Sequence, residues 1–410
     1  MGATMNFFRK NAIAASLALS LLSPAGADVV ADWNEKVGNA SLAARQPPPV
    51  QARNMAMVHL AMFDALNSIE PRYAPYRVKL QVPNTTSRDA AASAAAHYLM
   101  VRLYPDRSMD SDAALKATLA SVPDGDTKAQ GVQLGEMVAA AMLQDRSADG
   151  AKAPDTYRPH AAPGAYVPTV TPAGPHWGSV KPFALKSGNQ FRPGAPYALD
   201  SAQWARDYVE VKRMGARTGS SRSPEQTDIA RFWEFNGAGT YNSLVRQISA
   251  AKNPDLLDNA RLYALVSLAT ADAFIAVFDA KYAYNFWRPV TAIRNGDQDG
   301  NNATERDAAW EAVIPTPMHP EYPCAHCIAQ SSAASVLNAL FGDTVPTATM
   351  TSPTAPGVTR SFSRLSDYVT EIVNARVYDG VHYRASGEVG VEMGRKIGEY
   401  VMQNFLKPVR

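Results

Sequence analysis

Apolar residues recur at three- and four-residue spacing through most of the chain, the period of an amphipathic or buried helix. Stretches 52–67 (ARNMAMVHLAMFDALN), 88–103, 128–144, 202–214, 224–235 and 254–286 each carry such a stripe and are expected to be helical. The start at 224 has a strong signature: Ser223 precedes Pro224, and Gln226 follows three residues after the serine, the layout of a capping box. Alternating strand patterns are scarce. The expected fold is therefore all-α, a multi-helix bundle.

Between residues 150 and 200 the periodicity gives way to APGAYVPTVTPAGPHWGSVKPFALKSGNQFRPGAP, rich in proline and glycine. Tyr166, Trp177, Phe183 and Phe191 are more apolar than a solvated linker needs, so an ordered, wrapping loop is expected. The chain then divides into an N-terminal helical lobe over 28–149, the loop over 150–200 and a larger helical lobe over 201–410. At the extreme N-terminus, Arg9 and Lys10 precede an apolar run over 12–22, and Ala25, Gly26 and Ala27 offer a small-residue cleavage site. Residues 1–27 read as a signal peptide, with the mature chain starting near Asp28.

Loss of that segment removes two of the 40 basic residues and none of the 38 acidic ones, bringing the net charge from +2 to zero. No basic footprint for nucleic acid remains. The most apolar later stretch, 261–280, contains Asp272 and Asp279, which a lipid-facing helix tolerates poorly. An exported, periplasmic or secreted protein is expected, not an integral membrane protein; oligomeric state is not legible.

Three short stretches carry candidate chemistry. In KYAYNFWRP, Lys281 and Arg288 stand seven apart, two helical turns, so both are expected on one face, with Pro289 setting Arg288 near a helix end. Two cations aimed at one point suit a phosphate-like anion. PEYPCAHC (320–327) leads into a buried helix closed by Gly342, which places Cys324, Ala325 and His326 at a helix N-terminus, where free N–H groups attract anions. In ARVYDGVHYRAS, Arg376 and His382 are six apart, and Gly380 between them can break the helix so that both side chains converge. Cys324 and Cys327 are the chain's two cysteines, and in an exported protein a disulfide between them is expected; zinc held by Cys324, His326 and Cys327 is the alternative.

Taken in order, KYAYNFWRP, PCAHC and ARVYDGVHYRAS resemble the three-part signature of the vanadium-dependent haloperoxidase and type 2 phosphatidic acid phosphatase (PAP2) superfamily, K-x6-RP, PSGH and SR-x5-H-x3-D. ADWN (31–34), AMVHLAMFDALNSIEPRYAPY, WGSVKPFALKSGNQFRP and PEYP resemble its bacterial, exported haloperoxidase-like branch, so the likeness covers most of the mature chain. The resemblance implies that Lys281, Arg288 and Arg376 neutralise bound vanadate or phosphate, with Ala325 donating through its backbone. His382 would bond the central atom, as metal ligand or as phosphatase nucleophile, and His326 would be the general acid–base. Cys324, Ala325 and Ser386 replace the family's serine, glycine and aspartate. With Ser386 as its orienting neighbour, His382 is expected to be less basic than is usual for the family. His319, seven residues before His326, matches algal bromoperoxidases and suggests a halide pocket for bromide.

Three functions follow from the resemblance: a vanadate-dependent peroxidase acting on hydrogen peroxide and halide, a soluble acid phosphatase working through a phosphohistidine, or an impaired vanadate- or phosphate-binding protein.

Overall fold

The computed structural model describes residues 28–235 and 237–409; the expected signal peptide lies outside them. Five helices come first: α1 (Val29–Ala43), α2 (Pro48–Ile69), α3 (Arg88–Leu103), α4 (Ser108–Ser121) and α5 (Asp126–Asp145). After a long irregular stretch come α6 (Ala202–Met214), α7 (Pro224–Phe232), α8 (Ala238–Lys252), α9 (Leu256–Tyr284) and the short α10 (Pro289–Arg294). The chain ends with α11 (Ala325–Phe341), a hairpin of β1 (Thr344–Thr351) and β2 (Thr359–Arg364), then α12 (Leu365–Tyr378) and α13 (Arg384–Asn404). The fold is all-α as the periodicity implied, with one addition. β1 and β2 pair antiparallel, Ala348 opposite Phe362 and Met350 opposite Arg360, with Val345, Ala348 and Met350 turned inward.

Local chemistry sets the helix starts. Ser223 caps α7 through the Gln226 amide while the Gln226 side chain returns to the Ser223 backbone, the full capping box. Asp255 caps α9 on the Asp258 amide, and Ser87 caps α3 on that of Ala90.

Helix α9 is the axis. It is apolar and long enough to cross a membrane, yet its apolar window is 94% buried inside the protein, against α2, α11 and α13. Two of its acids explain how the irregular segment is held. Asp272, fully buried, accepts the backbone N–H groups of Phe183, Ala184 and Leu185, each at 2.7 Å. About two turns later, Asp279 takes a two-pronged ion pair from Arg192. Asp64 does the same for another stretch, accepting the amides of Tyr76, Arg77 and Val78. A buried carboxylate is retained where several N–H groups solvate it.

Helix α13 carries glycine at 390, 394 and 398, a ridge without side chains that lies on α11. A Cβ at Gly394 would come within 2.4 Å of the Ile328 carbonyl, and one at Gly390 within 2.8 Å of the Cys324 carbonyl. The close approach brings the start of α11 beside the start of α13, and both bear site residues.

Asp272→Asn keeps one carbonyl acceptor but sets its amide N–H2 against at least one of the three backbone N–H donors. The expected cost is roughly 2–4 kcal/mol of unfolding free energy, read as a lower urea midpoint.

Candidate active site

Lys281 sits in the last turn of α9, fully buried. Its ammonium donates to the carbonyls of Pro320 and Glu321, both at 2.8 Å. The helix stops at Tyr284 with Asn285 in the left-handed region, so Arg288 does not share a helical face with Lys281. Instead Arg288 stands extended (φ −79°, ψ 154°) as the N-cap of α10, with Pro289 in its first turn, and a bend in the chain brings it back. The expectation of one shared face is corrected, and the proline explains it. Phe286 and Trp287 anchor the bend in an aromatic cluster with Trp204 and Tyr383.

The Arg288 guanidinium donates to the carbonyls of His319 (2.9 Å) and Val381 (2.8 Å), and its Nη1 lies 3.3 Å from His382 Nε2. Arg376, in the last turn of α12, reaches the Trp233 carbonyl at 3.0 Å and pairs with Asp379 at 2.7 Å. Gly380 then takes φ +85°, and its α-carbon faces Gly215 so closely that any Cβ would meet the Gly215 carbonyl at 2.4 Å. The His382 amide folds back onto the Arg376 carbonyl at 3.1 Å. The glycine break expected between Arg376 and His382 is thus present.

At the start of α11, Cys324 and Cys327 form a disulfide with Cα atoms 5.3 Å apart. The Cys324 sulfur also caps the Cys327 amide. With its sulfur bonded in this way, Cys324 has no S–H to offer an anion, which corrects its placement among the anion donors; the zinc alternative falls for the same reason. The amides of Ala325 and His326 remain at the open end of the helix. His326 is 7% exposed, and its ring Nε2 is buried without a partner, as is Nε of Arg376. An unpartnered guanidinium N–H and an unpartnered ring nitrogen among buried cations mark a place for an anion.

Two buried carboxylates complete the site, and neither was identified from the sequence. Glu321 accepts His382 Nδ1 at 2.7 Å and the Tyr383 amide at 3.1 Å. Ser386 Oγ is 3.5 Å from the same ring nitrogen, too long for the orienting role expected of it. The charge absent at position 386 is supplied by Glu321, which orients the ring in place of Ser386. Asp379 serves Arg376 in the same way. Burial pushes both carboxyls up to about 7 against the pull of the neighbouring cations.

Burial, reinforced by the neighbouring arginines, holds Lys281 well below the usual lysine range. His326, His382 and His319 all fall well below the ordinary histidine value, through burial first and then the nearby cations. His319 lies against Phe278, with Nδ1 3.0 Å from Arg288 Nη2. Lys281, Arg288, His326, Arg376 and His382 thus surround one buried point, with His319 at its edge.

Residues 261–410 match the family description "VCPO second helical-bundle domain". A solved bacterial vanadium-dependent iodoperoxidase superposes over 93% of this chain and 98% of its own, with TM-score 0.79 and 27% identity. In sequence and in fold the chain is similar to the vanadium-dependent haloperoxidases. The vanadium chloroperoxidase of Curvularia inaequalis is 26% identical over 366 residues, 68% of this chain; the match spans 59% of that relative's length. An apo-type bacterial vanadium-dependent chloroperoxidase, 18% identical with TM-score 0.72 over 87% of this chain and 92% of its own, shares the fold.

Within this haloperoxidase-type site, Glu321→Gln keeps an acceptor for His382 but removes the charge. With one negative charge fewer beside the buried cations, phosphate affinity by calorimetry is expected to rise severalfold. A second expectation concerns protons. His326 is neutral beside uncompensated cations, and a dianion reverses their effect, so binding should take up a proton and tighten as the pH drops below neutral. Sulfate, which carries no titrating proton in this range, isolates the effect. Calorimetry in buffers of different ionisation enthalpy should report uptake for the wild type and less for His326→Ala, where Glu321 and Asp379 still titrate.

Proposed function

We propose that this chain is a vanadate-dependent haloperoxidase that oxidises halide with hydrogen peroxide: H2O2 + X− + H+ → HOX + H2O. One observation carries the reading: three buried cations and two histidines from separate segments converge on one point, where His326 Nε2 and Arg376 Nε have no partner. That donor set suits vanadate, an oxyanion of the size and charge of phosphate. When bound, vanadate supplies a Lewis-acidic centre that activates peroxide.

The chain's own groups then take these parts. Lys281, Arg288 and Arg376 balance the charge of the oxyanion, with the Ala325 amide at the helix end. His382 offers Nε2 to the central atom, and Glu321 fixes its tautomer by accepting from Nδ1. His326 takes up and returns the protons that the balanced reaction requires. Lys281, oriented by two carbonyls, would direct its third N–H at an oxygen of the bound anion or of peroxide. A cavity of about 530 Å³, lined by Tyr166, Val170, Thr291, Pro317 and Met318, reaches Arg288. His319, at the edge of this approach, supports bromide as the halide. The disulfide and the N-terminal apolar run support export to an oxidising compartment.

The test is bromination of a phenol-red-type dye with and without added vanadate, repeated with iodide and chloride beside a phosphate-ester assay. Vanadate-dependent bromination supports the reading. Ester hydrolysis alone would instead indicate the phosphatase, and neither activity would indicate an impaired binder. Arg376→Ala should weaken vanadate retention by roughly 1.5–3 kcal/mol, the value of a charge-assisted hydrogen bond. It should also remove most of the rise in melting temperature that vanadate produces in the wild type.

A further inference from the structure

We propose that Met318 is a modification site, converted to the sulfoxide by hypohalous acid leaving the site; this rests on the peroxidase reading above. Met318 lines the same cavity as Arg288, and the next residue, His319, touches the Arg288 guanidinium. Its position is fixed from both sides, since its carbonyl accepts the Ala173 amide at 2.6 Å and His319 packs on Phe278. The side chain itself is 49% exposed at the rim. An oxidant formed beside Arg288 and diffusing out through this mouth therefore passes a thioether before it reaches bulk water. The other groups on this rim compete poorly. Val167, Val170 and Pro317 are unreactive, and Tyr166 is buried, with its phenol held protonated by that burial.

The chemistry balances without a further reagent. The thioether sulfur attacks the halogen of HOX and hydroxide departs. Water then replaces halide on sulfur with loss of two protons, giving sulfoxide, X− and net one H+. Sulfur loses two electrons and the halogen gains them.

Two methionines far from the mouth provide an internal control. Met109 on α4 is 83% exposed and Met137 on α5 is 51% exposed; these helices pack on α2 and α3. Oxidant arriving from bulk solvent should modify Met109 at least as fast as Met318. Oxidant produced inside should favour Met318.

The experiment uses the full chain loaded with vanadate, limiting hydrogen peroxide, bromide and a dye, with peptide mass mapping of the three methionines. Parallel samples omit bromide, omit vanadate, or receive reagent hypobromite in place of peroxide. The expected result is a Met318-to-Met109 sulfoxide ratio several-fold higher during turnover than with reagent hypobromite, and dependent on both bromide and vanadate. Equal ratios while the dye is brominated would overturn the proposal and leave the peroxidase reading intact. Absence of dye bromination would overturn both.

Discussion

The structure depends on burying Lys281, Arg288 and Arg376 close to one another. Three cations taken out of water repel, and each also loses its hydration. The fold answers with backbone as much as with counter-charge: carbonyls of residues 233, 319, 320, 321 and 381 accept from them, while Glu321 and Asp379 supply two negative charges. Those carbonyls belong to chain segments between helices, where they are free of any helical ladder. The loops around the site are therefore shaped to point oxygen inward, and the two carboxylates leave one cation in excess to meet a multiply charged anion.

Much of this was legible before any coordinates. The helices over 88–103 and 202–214 begin and end where their apolar stripes do, and the three motif stretches meet in space. Other parts gave no periodic signal. Helix α4 buries only Ser111, so it has no apolar stripe to read. The short β1–β2 hairpin alternates over barely eight residues, dominated by threonine. The carboxylates were missed for a different reason. Glu321 meets His382 across 61 positions, and no helical or strand period links residues at that distance. Asp379 was visible inside ARVYDGVHYRAS but reads as an ordinary helix-end acid until Arg376 is found buried beside it.

The departures from the family signature have physical compensations. A disulfide at Cys324 removes a donor, but its sulfur still caps the helix whose open end faces the anion. Serine at 386 withdraws a charge, and Glu321 restores it at the same ring nitrogen of His382. The site tolerates exchange of individual groups because what it requires is a balance of charge and a fixed ring, and more than one chain segment can provide each.

The irregular segment over 150–200 contributes Tyr166, Val167 and Val170 to the mouth, yet it is fastened to α9 through Asp272 and Asp279, away from the anion site. Anion chemistry and the shape of its doorway are thus written in different stretches of the chain and joined by one helix. A strap of this kind can be rewritten residue by residue ahead of its fasteners, which hold residues 183–185 and 192, while the buried cations keep their partners. Related chains can therefore diverge in what they admit without renegotiating how they hold the oxyanion.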